Sequence, residues 1–149
     1  MGSDIGYFNK ARDASRLSNF PRHHIGCTVV YKKQIISVGF NSTKTHPIQK
    51  IYNKERFDCD STPHSLHAEI TALIFLKDRK DIKWEDVDIY TYRENKSGEP
   101  RLSKPCKSCM ALIKNLGIKR IHYTTNDGFE METLEENESS DDKSQLQSP

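Results

Sequence analysis

The chain reads as an α/β protein of three layers, a mixed sheet with helices on both faces. Three observations predict this. Five short apolar segments carry the alternation or the continuous runs expected of strands. Two segments with helical spacing separate the second, third and fourth of them, as in units that lay helices over a sheet. The first strand pair and the last pair are each joined by a turn too short to hold a helix. The resulting order is α-β-β-α-β-α-β-β. A chain of 149 residues allows one domain around one core.

Each element has a local reason. Residues 4–17 are expected to be helical: Asp4 can cap the start, and Ile5, Phe8, Ala11, Arg12 and Ser15 follow helical spacing. Phe20-Pro21 ends it, because the residue before proline avoids the helical region. His23 and His24 lead into a strand at 25–31, Lys32-Lys33 makes the turn, and 34–40 is the second strand. Asn41 closes that strand.

The stretch 41–63 is long and polar and is punctuated by Pro47 and Pro63. Loops of this length are usually functional or disordered. Lys44, His46, Lys50, Lys54 and Arg56 interleave with Tyr52 and Phe57, a composition that can hold a phosphate and stack a base. An ordinary loop with two tucked aromatics would have the same composition.

Ser65 is a candidate cap for a helix over 67–79, with Ile70, Leu73, Ile74 and Lys77 as its inner stripe. A charged connection at 77–83 precedes a third strand at 87–93, and a polar loop around Gly98 and Pro100 fills 94–104. Pro105 is expected at the first position of the next helix. Leu112, Ile113 and Leu116 form its apolar side, and Gly117 ends it. A fourth strand at 118–124, the turn Asn126-Asp127-Gly128 and a fifth strand at 129–134 complete one domain over residues 1–135. Residues 136–149 are acidic and Ser-rich, with no core-forming pattern, and read as a disordered tail.

Charge is divided along the chain. The net value is +2, but residues 130–149 carry −6 and the preceding 129 carry +8. A basic body suits an anionic ligand, a nucleotide or a polynucleotide, though solvated surface lysines give the same count. No apolar run approaches the ~20 residues of a membrane helix. No basic segment followed by an apolar one opens the chain, so a secretory signal is not expected. Four cysteines, two of them in a CxxC, favour metal binding in a reducing, cytoplasmic setting over a disulfide framework.

Two stretches carry chemistry, His67-Ala68-Glu69 and Pro105-Cys106-Lys107-Ser108-Cys109. His67, Cys106 and Cys109 offer an imidazole and two thiols. Three protein ligands suit a catalytic zinc, whose fourth position stays open to water. Glu69 follows His67 too closely to be needed as a ligand and is well placed to move that water's protons. Each stretch falls at an expected helix start, where unpaired N–H groups favour thiolates.

This H-x-E…P-C-x-x-C pattern resembles the cytidine/deoxycytidylate deaminase superfamily over roughly residues 5–134. The resemblance implies a three-layer α-β-α fold with a five-strand mixed sheet. Members divide on the fifth strand, and the short Asn126-Asp127-Gly128 turn points to the division in which it runs antiparallel to the fourth. The implied activity is hydrolysis of a cyclic amidine C–N bond with one catalytic Zn²⁺, and Glu69 is the proton shuttle. Asn41 would contact the sugar or base, and the Ala68 N–H the base. Beside the resemblance, Lys44 in the basic 41–63 loop would serve a substrate phosphate, and Ser103, three before Cys106, could reach the exocyclic edge.

The implied substrate is a free cytosine nucleotide or nucleoside of deoxycytidylate type; the alternative is a cytosine or adenine in single-stranded DNA or RNA. His67 matches the deoxycytidylate and nucleic-acid branches, whereas the closing hairpin matches free cytidine deaminases. Some deoxycytidylate deaminases carry a second, structural zinc. Here Cys27, Cys59 and His64 read as buried or loop residues instead. Many relatives are oligomeric, so a homo-oligomer is an expectation of the resemblance.

Overall fold

A turn with both central residues at positive φ starts the sheet. Lys32 and Lys33 have φ of 52° and 64°, the mirror-image hairpin geometry that matches strand twist. It joins β1 (Ile25–Tyr31) to β2 (Gln34–Phe40). The computed structural model describes residues 2–19, 23–43 and 67–134. The loop residues Lys44, His46, Lys50, Cys59, His64 and Ser65, and the acidic tail, lie outside these residues.

β1 also pairs antiparallel with β3 (Val87–Arg93), which runs parallel to β4 (Arg120–Thr125). β5 (Gly128–Thr133) returns antiparallel to β4, giving the order β2-β1-β3-β4-β5. The antiparallel fifth strand expected from the Asn126-Asp127-Gly128 turn is present. No helix among the described residues is long and apolar enough to cross a membrane.

Strand alternation sends side chains to two faces. On one face lies α1 (Gly2–Ser15), over Val30, Tyr90 and Tyr92. Phe8 meets Tyr90 edge-on at 5.1 Å between ring centroids and stacks on Phe129 at 4.1 Å. Of the expected stripe, Phe8, Ala11 and Ser15 are buried, but Ile5 is 53% exposed. Ile5 overhangs the β5 edge, where it lines a cleft with Phe129 and Met131. α1 can lie this close because Gly26 has no side chain. A Cβ there would overlap the Ala11 carbonyl and stand 2.6 Å from the Ser15 nitrogen.

The opposite face carries α2 (Ala68–Leu73) and α3 (Lys107–Leu116). The main core lies between them and the sheet, around Val29, Ile70, Leu73, Ile89, Leu112, Ile113 and Ile121. Each such side chain contributes about 1.5–3 kcal/mol by burial. α2 is shorter than the expected 67–79. After Leu73 the bonding becomes mixed: the Leu73 carbonyl accepts both the Leu76 N–H at 2.9 Å and the Lys77 N–H at 3.0 Å, and Arg79 N–H reaches Leu76 O at 2.9 Å. Leu76, three residues after Leu73, is buried and Lys77 only partly so, and Phe75 is 89% exposed. A short 3₁₀ turn, Trp84–Asp86, leads into β3.

α2 rests on β2 through a second close approach. A Cβ on Gly39 would stand 2.6 Å from both Ala68 O and Ala72 N, and the Ser37 hydroxyl donates to Ala72 O at 2.5 Å. Gly39→Ala is therefore expected to lift α2 and to cost about 1–3 kcal/mol, as overpacking does. A denaturant melt reads this directly. An unchanged midpoint would mean that α2 is not seated through this contact.

Candidate active site

The two chemical stretches occupy equivalent positions on their helices. His67 is the N-cap of α2 and Cys106 the N-cap of α3, and neither side chain caps its own helix. Both backbones are extended there, with φ/ψ of −82°/155° and −72°/175°. Pro105 therefore precedes the cap instead of opening the helix as expected, since the cap residue takes extended geometry before the first helical turn. Cys109 is the third residue of α3. N-cap and N3 side chains are neighbours, the same spacing that lets a capping box close. This spacing brings the two sulfurs together.

The three donors converge. His67 Nδ1 lies 3.2 Å from Cys109 Sγ and 3.5 Å from Cys106 Sγ, and the three ligand atoms fall within 4.8 Å of one another. His67 and Cys109 are buried and Cys106 is partly exposed, so the cluster opens on one side. The His67 carbonyl is held by the N–H and hydroxyl of Thr71, at 3.0 and 2.9 Å. Ser108 Oγ stands 3.2 Å from Cys106 Sγ and can donate to it as a thiolate.

This donor set fits zinc. Two soft thiols and one imidazole at near-contact distances suit a tetrahedral ion with one position left over. Burial pushes the Cys109 thiol well up, with the Cys106 and Glu69 side chains adding to it. A divalent cation reverses that preference, so loading the site releases protons. Among the described residues this is the one such cluster of potential ligands. Cys27 is fully buried in the main core and is not part of it.

Glu69, second in α2, is 4% exposed. Burial raises its carboxyl above the ordinary range, the Cys106 charge adds to this, and His67 opposes it. Such a poised carboxyl beside a ligand cluster is a candidate acid/base. Ala68 is the first residue of α2 and is buried, and its N–H belongs to the first helical turn.

Two expected substrate contacts are used otherwise. The Asn41 amide oxygen accepts the Ile25 N–H at 2.9 Å, and its NH₂ donates to His23 O at 3.0 Å. It latches the end of β2 to the start of β1, which leaves one amide N–H for a ligand. Ser103 is 2% exposed, and its hydroxyl bonds Thr91 and Thr124. Its hydroxyl is therefore engaged with the backbone of β3 and β4. Thr91, Thr124 and Ser108 were not singled out from the sequence. A threonine inside a strand and a serine inside a CxxC carry no distinguishing local signal.

The family model for the cytidine and deoxycytidylate deaminase zinc-binding region matches residues 1–125. The chain belongs to this family. No curated protein matches it in sequence. Solved structures share its fold. The dCMP deaminase of cyanophage S-TIM5 in complex with dCMP and dUMP is 22% identical, over 80% of this chain and 79% of that one, with a TM-score of 0.56. Its apo form gives 24% and 0.55 over the same shares. Cytidine deaminase from Burkholderia pseudomallei is 15% identical over 87% and 91%, with a TM-score of 0.60. At these identities the likeness is one of fold. Family membership makes the chain a zinc-binding deaminase acting on C–N bonds, with His67, Cys106 and Cys109 as its possible zinc site.

Proposed function

We propose that the enzyme deaminates a free cytosine nucleotide, of deoxycytidylate type, to its uracil form with release of ammonia. The observation that supports this most is Glu69, a buried carboxyl two residues from one potential ligand and electrostatically coupled to the other two. A zinc bound by His67, Cys106 and Cys109 supplies Lewis-acid chemistry that makes water a nucleophile near neutral pH.

The chain's own groups do the rest. The Glu69 carboxylate takes a proton from the attacking water and passes it to the ring nitrogen N3. It then takes the second proton from the oxygen added to the base and delivers it to the departing amine; the steps are sequential, so one carboxyl serves as base and then as acid. The Ala68 N–H orients the base. Burial of Glu69 and His67 excludes bulk water from the proton path.

A monophosphate needs two or three donors, and Lys44, His46 and Lys50 are spaced to supply them. Ammonia release is the direct assay, run with cytosine and adenine nucleosides, their monophosphates and single-stranded oligonucleotides. Cytosine monophosphates are expected to turn over best, and Lys44→Ala to raise KM for the nucleotide more than for the nucleoside. Turnover of oligonucleotides alone would move the substrate to nucleic acid. Equal effects of Lys44→Ala on nucleotide and nucleoside would remove the phosphate role.

A further inference from the structure

Cys106 is the N-cap of α3: its carbonyl accepts the Met110 N–H at 2.8 Å, but its extended backbone, which aims the side chain, continues the loop that precedes it. That loop leaves β3 after Arg93, closes a bridge between Glu94 and Pro100, and is then held to the sheet at Ser103. Every polar group of Ser103 is engaged there. Its N–H donates to Thr124 O at 2.9 Å, and its carbonyl accepts the Thr91 hydroxyl at 2.9 Å. Its own hydroxyl donates to Thr91 O at 3.0 Å and accepts the Thr124 N–H at 2.8 Å.

The three hydroxyls form one consistent set. The protons of Ser103, Thr91 and Thr124 go to three different carbonyls, those of Thr91, Ser103 and Arg101. Thr124 Oγ1 also accepts the Arg93 N–H at 3.1 Å. All three residues are buried, at 2, 0 and 0% exposure. Fully satisfied buried networks rigidify what they join, and partly broken ones are costly. Only Lys104 and Pro105 separate this anchor from Cys106. Pro105 has a fixed φ, and Lys104 pairs with Glu132 of β5 at 3.0 Å.

We infer that Ser103, locked by Thr91 and Thr124, is the positioning residue for Cys106, holding this thiol where it meets His67 and Cys109. The inference rests on the zinc reading of the site. It assigns the role to a residue whose hydroxyl is bonded to the two strands beside it.

The test uses the zinc-loaded full chain. Zinc release into a chromogenic chelator is timed for Ser103→Ala and Thr91→Val, and the thiolate absorption of the cobalt(II)-substituted proteins is recorded. Thr28→Val serves as control, since the buried Thr28 hydroxyl on the α1 face has no hydrogen-bond partner among the described residues. Loss of an outer-shell partner typically weakens metal affinity about 10–100-fold, so release should accelerate to that extent in both variants. The cobalt spectrum should shift in both, and Thr28→Val should match the parent. Release at the parent rate with a parent-like cobalt spectrum would overturn the positioning role, even if melting temperatures fell. If Ser103→Ala does not fold, Thr91→Val decides, because it removes one hydroxyl and conserves volume. A parent that binds neither ion would overturn the zinc reading and this inference together, whereas a loaded parent with unaffected variants overturns this inference alone.

Discussion

Glu69→Gln is expected to lower kcat by about 10²–10⁴-fold, the usual contribution of a positioned acid/base. The loss sits at the upper end if the same carboxyl acts in both halves of the reaction. Glutamine keeps the volume of this 4%-exposed side chain but cannot carry the proton. Zinc content should stay at the parent level, because His67, Cys106 and Cys109 converge without it. Stability should hold or rise, since burying a neutral amide costs less than burying a carboxylate. Metal analysis, a thermal melt and an ammonia assay on the same preparation separate these effects. Turnover within tenfold of the parent would remove Glu69 from the mechanism, and lost zinc would make it a ligand.

Cys109→Ser should cost zinc and stability together. A serine hydroxyl ionises far less readily than a thiol, so the site is left with one thiolate and one imidazole. The helices that the ion would tie together are short. α2 spans Ala68–Leu73, below the length at which a helix holds by itself. A ligand present at a thousandfold over its Kd stabilises by about 4 kcal/mol. At about 2–4 °C per kcal/mol for a chain of this size, Tm should fall by roughly 8–16 °C. Chelating the zinc from the parent should reproduce most of that fall, which separates the metal's contribution from that of a buried hydroxyl. A zinc-free variant that melts with the parent would show that the ion does not hold α2 to α3.

The local grammar of the chain determined a good deal. The strands at 25–31, 34–40 and 87–93 were legible to the residue, because alternation and turn chemistry are local properties. The antiparallel last strand followed from a turn too short for a helix. The ligand triad was legible because a metal site confines its residue types and their spacing, whatever the rest of the chain does. What escaped were the hydrogen-bond partners that lie distant in sequence. Asn41 latches His23 and Ile25, and Ser103 locks onto Thr91 and Thr124. Those partners are named only once the order β2-β1-β3-β4-β5 places the strands side by side. The sequence could specify which donors a zinc site needs. Only the packed sheet decided how they are held, because the loop that carries Cys106 is anchored by hydrogen bonds between strands that meet through tertiary pairing.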